Sequence, residues 1–315
     1  MKRALVLSGG GAKGSWSGGV IEYLVKEQKI SWDLVIGTST GSLLAPLSAI
    51  GEVDRLKTAY TTVTSKSIFN INPFNKKGKV KLLNALWRVI TKKTSLDEGN
   101  NLKKKIKEIM TEDDFNRIRK ENKESIAVVS NMTKFQSEYK STKTETYDSY
   151  CEWMLCSSSV PLIFEVQNND GCEYLDGGVL NCIPIQEAIN LGATEIDVVI
   201  LSAPVTKDYP PMENMWEVVM RTLDFMNKEI NKDDIMLGKL SGKAEEVKLN
   251  IYRTPISLTK NSIIFTKEQM LQWWAMGYEF ARSHYEVKEV KLKRTKTNPK
   301  YQIKSIIEKG KTRKK

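Results

Sequence analysis

Along this chain, short unbroken apolar runs alternate with segments whose apolar residues recur every three or four positions. Residues 4–7 are all apolar and lead at once into a glycine turn, the pattern of a strand buried on both faces. Val20, Ile21, Leu24 and Val25 then fall on one face of a helix predicted over residues 18–29. Residues 34–36 predict a second strand and 41–50 the helix behind it. Residues 126–130 and 196–201 are further runs of strand type. Such alternation predicts an α/β fold of three layers, a mainly parallel central sheet with helices on both faces. Ligands of these sheets bind at the carboxyl ends of the strands. The turn at residues 9–14 and the segment 37–41 both fall at such ends.

The stretch 66–125 departs from this rhythm. Leu82, Leu83, Leu86, Val89 and Ile90 share a helical face over 80–90, with Trp87 beside it. The stretch reads as a helical insertion, equally a cap over the site or a packed layer. A late helix is predicted over 264–285, where Thr266 and Gln269 have capping-box spacing. Its Met270, Trp273, Trp274, Gly277, Tyr278 and Ala281 read as a core face. So do Met212, Met215, Trp216, Val219, Met220, Leu223 and Met226. From about Val287 the periodicity fails. The expected organisation is therefore one domain over 1–286 and a basic tail over 287–315, with at most a weak helix near 301–307.

Composition narrows the class. A chain of 315 residues, 40% hydrophobic, suffices for one large α/β domain. No apolar stretch approaches the roughly 18–20 residues of a membrane span. The first residues read as a strand rather than a signal peptide, so a cytoplasmic location is expected. Cys151, Cys156, Cys172 and Cys182 form no Cys-x-x-Cys pair, and His284 is the single histidine. Free thiols and no zinc site are expected. The net charge of +11 is concentrated: residues 66–107 and 287–315 each hold 12 Lys/Arg against two acidic residues. The rest of the chain is acidic. Basic segments of this kind suit an anionic membrane surface or nucleic acid, or simply a solvated tail and an exposed helix. No nucleic-acid-binding motif accompanies the lysines.

Three motifs carry candidate chemistry. Gly37-Thr38-Ser39-Thr40-Gly41 lies between the second strand and its helix, a turn that raises a serine hydroxyl at a helix N-terminus. Gly9-Gly10-Gly11-Ala12-Lys13-Gly14 follows the first strand, and its backbone N–H groups can converge on an anion. It also fits a dinucleotide-binding pattern, but the second strand lacks the acidic residue at its end that a ribose requires. An oxyanion hole, with the charge of Lys13 nearby, is the better reading. Asp176, in Asp176-Gly177-Gly178, offers a carboxylate base. The order Ser39, Asp176, His284 matches the α/β-hydrolase triad. Only one strand precedes the strand that leads into Ser39, however, and His284 sits at the end of a helical pattern, so a surface histidine is the expected reading.

Together and in this order, these motifs resemble the patatin-like phospholipases. The likeness extends to Cys156-Ser157-Ser158-Ser159-Val160-Pro161-Leu162-Ile163-Phe164, to Asn181, Pro184, Ile185, Ala188 and Leu191-Gly192-Ala193, and to the helix after Phe265-Thr266. It covers about residues 3–285. It implies a Ser39 nucleophile, Asp176 as base and an oxyanion hole at residues 9–14. It also implies hydrolysis of acyl esters of phospholipids or related lipids through an acyl-enzyme, with neither metal nor cofactor. The chain departs from the family at Thr40, often Ala there, and at Glu165-Val166, where the family tends to place Pro; both bear on the acyl pocket. Peripheral contact with an anionic membrane is expected, and nucleic acid is not. The alternatives are an acyltransferase using the same pair, or a non-catalytic lipid- or phosphate-binding protein, against which intact Ser39 and Asp176 argue.

Overall fold

Arg3–Leu7 forms β1 at the centre of an eight-stranded sheet. In this computed structural model the described residues are 2–75, 81, 93, 95–204, 211–212, 215–259 and 261–284. The helix expected over 80–90, the tail 287–315 with its segment near 301–307, and the side chains of Met215, Trp216 and Met220 lie outside them.

The other strands are β2 (Leu34–Thr38), β3 (Glu124–Asn131), β4 (Gln136–Ser141), β5 (Gln167–Asn169), β6 (Cys172–Asp176), β7 (Glu195–Ile200) and β8 (Lys248–Arg253). Their order is β5-β6-β3-β2-β1-β7-β8, with β4 also paired to β3. The block β3-β2-β1-β7-β8 is parallel; β4, β5 and β6 join it antiparallel.

The helices are α1 (Gly14–Lys26), α2 (Thr40–Ala49), α3 (Val53–Thr61), α4 (Ser65–Ile68), α5 (Asn100–Ile109), α6 (Glu112–Lys120), α7 (Tyr147–Ser157), α8 (Ile185–Asn190), α9 (Met215–Ala244) and α10 (Lys267–His284). Leu5, Leu7, Val35 and Val199 pack with Trp16, Leu44, Leu56 and Trp274, from α1, α2, α3 and α10. Ala4, Val6, Leu34 and Ile36 turn the other way, toward α8 and α9. Burial on both faces is why these strands read as continuous apolar runs. The three-layer α/β reading is borne out.

The remaining differences have physical causes. α1 begins at Gly14, four residues before the expected start, because a short 3-10 turn (Gly11–Lys13) feeds it directly. β4 is a polar edge strand and β5 and β6 are short, so none shows a strong apolar signal. The core reading is wrong for Met212, Val219 and Met226, which are 47%, 36% and 57% exposed. It holds for Met270, Trp273, Trp274 and Ala281. The four cysteines are free and buried, as expected. Among the described residues no helix is long and apolar enough to cross a membrane.

The pairing of β3 positions the site. Val128 of β3 pairs with Thr38 of β2, and the next residue, Val129, pairs with Asp176 of β6. β4 runs along residues 126–131 of β3 and so occupies its other edge. β2 and β6 therefore meet end to end on one edge, with Ser39 just past one end and Asp176 at the other.

Candidate active site

Ser39 joins β2 to α2 with φ 55° and ψ −126°, a conformation that non-glycine residues rarely adopt. The glycines on either side make the turn sterically feasible. A Cβ on Gly37 would lie 2.2 Å from the Gly41 carbonyl, and one on Gly41 would lie 2.4 Å from the Leu7 carbonyl oxygen. Neighbouring hydroxyls hold the strained residue. The Ser39 N–H donates to Ser157 Oγ (3.0 Å), and its carbonyl accepts from Ser42 Oγ (2.7 Å) and Ser158 Oγ (3.3 Å). Ser159 accepts the Asp176 N–H at its carbonyl (3.0 Å). Residues 157–159, at the end of α7, thus tie the turn to β6. Thr38 Oγ1 donates to the Asn181 carbonyl (3.1 Å). Thr40 Oγ1 and the Tyr60 hydroxyl are 3.0 Å apart, and that hydroxyl also bonds the Thr40 carbonyl.

Asp176 is buried at the end of β6, where the chain turns through Gly177 and Gly178. The Gly178 N–H donates to its Oδ1 (2.8 Å), and the Gly177 carbonyl accepts from Ser130 Oγ (3.3 Å). Burial pushes the Asp176 pKa up to about 6, opposed by hydrogen bonds from the Ser39 side chain and the Gly178 N–H. Among the described residues no cation pairs with it.

The glycine turn flanks the same serine. Gly9 approaches so closely that a Cβ there would lie 3.2 Å from Ser39 Cβ. Several N–H groups of the turn are already taken. Ala12 donates to the Ser262 carbonyl (2.8 Å) and Lys13 to the Gly10 carbonyl (3.3 Å). Gly14 donates to the carbonyls of Gly11 and Ala12, and Gly9 to the Cys182 sulfur. The N–H groups of Gly10 and Gly11 have no acceptor among the described residues. Burial lowers the Lys13 pKa, and Asp224 opposes that effect. Burial raises the Cys182 thiol to about 12, with the Asp176 charge adding to it, so the thiol stays protonated at neutral pH.

A narrow apolar cavity of about 70 Å³ opens at Ser39, walled by Leu43, Tyr60, Leu102, Ile106, Phe164 and Met270. Leu102 and Ile106 come from α5, within the stretch read as an insertion. His284 ends α10, fourteen residues past Met270, or about 21 Å of helix rise. The structure thus gathers Ser39, Asp176 and the turn at residues 9–14, while the backbone of His284 lies far along α10 from the cavity. Motif reading did not assign roles to Ser157, Ser158, Ser159 or Tyr60. The run of three serines was the visible signal for the first three.

The Patatin-like phospholipase family model matches residues 5–189. A cUMP-AMP-activated phospholipase of Escherichia coli is 44% identical over 66 residues, 19% of this chain and 20% of that protein. The chain therefore matches about a fifth of that curated relative's length. The crystal structure of VipD from Legionella pneumophila superposes with a TM-score of 0.42 at 18% identity, covering 90% of this chain and 66% of the other. More than half of the residues fall inside the family model, and the chain belongs to the patatin-like phospholipase family, a family of lipid acyl hydrolases.

Proposed function

We propose that the chain hydrolyses acyl esters of phospholipids or related lipids, with Ser39 as nucleophile and Asp176 as its base. One observation carries this reading: the end-to-end meeting of β2 and β6 sets the Ser39 hydroxyl against a buried carboxylate of raised pKa. A carboxylate near pH 6 is still ionised at neutral pH and more basic than a solvated one. Ser39 Oγ attacks the ester carbonyl carbon as Asp176 takes its proton. The tetrahedral oxyanion faces the N–H groups of Gly10 and Gly11. Collapse releases the alcohol, which leaves with the proton held by Asp176. Water, deprotonated by Asp176, then attacks the acyl-enzyme, frees the fatty acid and returns the proton to Ser39.

The cavity suits the acyl chain. It is apolar and slim, and the one charged side chain in its lining, Lys105, is already paired with Glu108. The Thr40–Tyr60 pair closes part of its wall. A labelled serine-reactive phosphonate tests the assignment. Wild type is expected to label and Ser39→Ala to lose both labelling and fatty-acid release, by at least about 10³-fold, with its melting curve intact. Labelling that persists in Ser39→Ala would overturn it.

A further inference from the structure

One side of the 30-residue helix α9 packs against α8 and β8. Gly238 meets Ile185, and Asp234 accepts the N–H groups of Cys182 and Ile183. The opposite face is unusually apolar. Seven of the thirteen exposed large apolar side chains among the described residues lie on α9, including Val218, Phe225 and Met226 toward its start and Met236, Leu237 and Leu240 toward its end. At 100° per residue these positions fall within an arc of about 120°. Arg221, Lys228, Lys232, Lys239 and Lys243 follow one border of that arc, within about 60° of one another.

The helix is not cationic overall. Its five basic residues are matched by five acidic ones, and Lys228 and Lys232 pair with Asp224 and Glu229. Glu229 and Asp233 also stand between the two apolar patches. Basic side chains gather at a groove of about 410 Å³ between α9 and the end of β8, where Lys239 and Arg253 stand beside the Glu229-paired Lys232. Lys232, Lys239, Arg253, Ile235, Met236 and Leu240 wall it, with no acidic side chain among them. Arg253 is held by the carbonyls of Ser202 and Ala203, and desolvation lowers its pKa.

We propose that the outward face of α9 is the surface by which this protein lies on an anionic phospholipid bilayer, the Lys232–Lys239–Arg253 groove taking a lipid phosphate. An apolar stripe edged by basic residues is the design of a helix that lies in the interface plane. A cationic groove with apolar walls matches the phosphate-to-glycerol region of a lipid rather than a free anion. α9 also borders the catalytic end of the sheet. Asn227 Oδ1 is 3.9 Å from where a Cβ on Gly178 would sit, and Asp224 and Lys228 act on Lys13. Of these, Asn227 and Asp224 lie on the face of α9 turned away from the apolar stripe, so the stripe would hold the protein at the surface that carries its substrate, and the inference extends the hydrolase reading.

The test uses the full chain carrying Ser39→Ala, which separates docking from catalysis. Flotation with phosphatidylcholine vesicles, with and without about 30% phosphatidylserine, is expected to show binding that the anionic lipid strengthens and salt weakens. Adding Met236→Ser and Leu240→Ser is expected to lower partitioning about tenfold. Adding Lys232→Gln and Lys239→Gln is expected to abolish the preference for phosphatidylserine. In the Ser39 background both pairs are expected to slow hydrolysis of vesicle lipid but not of a water-soluble short-chain ester. Absent vesicle binding, or binding unchanged in both pairs, would overturn the proposal. So would a chain that self-associates until Met236→Ser and Leu240→Ser release it, since the face would then join copies. Loss of all esterase activity alongside normal flotation would sink the hydrolase reading alone.

Discussion

Asp197, on β7, and Asp176, at the end of β6, are buried carboxylates of one sheet, yet their partners differ in kind. Asp197 accepts from Arg3 Nε (2.8 Å) and Nη2 (3.2 Å), Trp32 Nε1 (2.8 Å) and Asn250 Nδ2 (3.0 Å). Asp176 has one backbone N–H and the hydroxyl of Ser39. Burying an ionised carboxylate is costly unless donors and a cation replace its water. Around Asp197 they do, and that carboxylate pins the start of β1 to β7 and β8. Around Asp176 they do not, and burial there raises basicity instead. The same residue type serves as a clamp where donors are supplied and, in the role proposed for Asp176, as a proton acceptor where they are withheld.

Asp176→Asn is the sharpest way to break this comparison. Hydrolysis is expected to fall about 10²- to 10⁴-fold, while the amide keeps the Gly178 N–H bond. Stability should move the other way. The folded pKa, about 6, exceeds the usual carboxylate value, so the ionised form is disfavoured in the fold. That penalty is absent below about pH 4, grows as pH rises through 6 and is complete above it. Removing it is expected to stabilise the protein at pH 7 by about 2 to 3 kcal/mol. A lower melting temperature in Asp176→Asn would contradict the account. Asp197→Asn is expected to have the opposite sign, destabilising by about 2 to 3 kcal/mol because Arg3 loses the fully buried one of its two carboxylate partners and keeps Glu195 alone. Urea unfolding of the two variants side by side measures both.

The pH profile sharpens the same contrast. The rate at low substrate is expected to fall about tenfold per pH unit below about 6 and to level off above it. A plateau extending to pH 4.5 would mean that Asp176 is no base. The smallest effect belongs to His284→Ala, expected to leave hydrolysis within about twofold. A collapse of activity in that variant, with folding intact, would restore a triad.

Much of this was legible in the sequence, because the parallel core writes itself in unbroken apolar runs. β1, β2, β3 and β7 were visible for that reason. β4, with Gln136, Glu138 and Lys140 in its short span, was not, because an edge strand has no need of an apolar signature. The candidate residues Ser39 and Asp176 were named from glycine-flanked turns whose chemistry is local. Their closeness was invisible, since it depends on the long-range pairing of β3 with two different strands. Tyr60 was hidden too, because nothing local marks a tyrosine whose hydroxyl reaches back to Thr40. The exposed face of α9 misled for a plainer reason: an apolar stripe has the same periodicity whether protein or something else covers it.

The shared edge of β3 also bears on how such a chain can drift. Val128 and Val129 act as adjacent marks on a ruler, one setting the end of β2 and the other the end of β6. Exchanging their side chains for others of similar bulk leaves the ruler unchanged. One inserted residue between them would part the two strand ends by about 3.3 Å and turn the following side chains to the opposite face. Lineages descending from this chain should therefore vary in the spelling of β3 but not in its length, and a deletion scan across residues 124–131 is where inheritance of the fold and of the chemistry would separate.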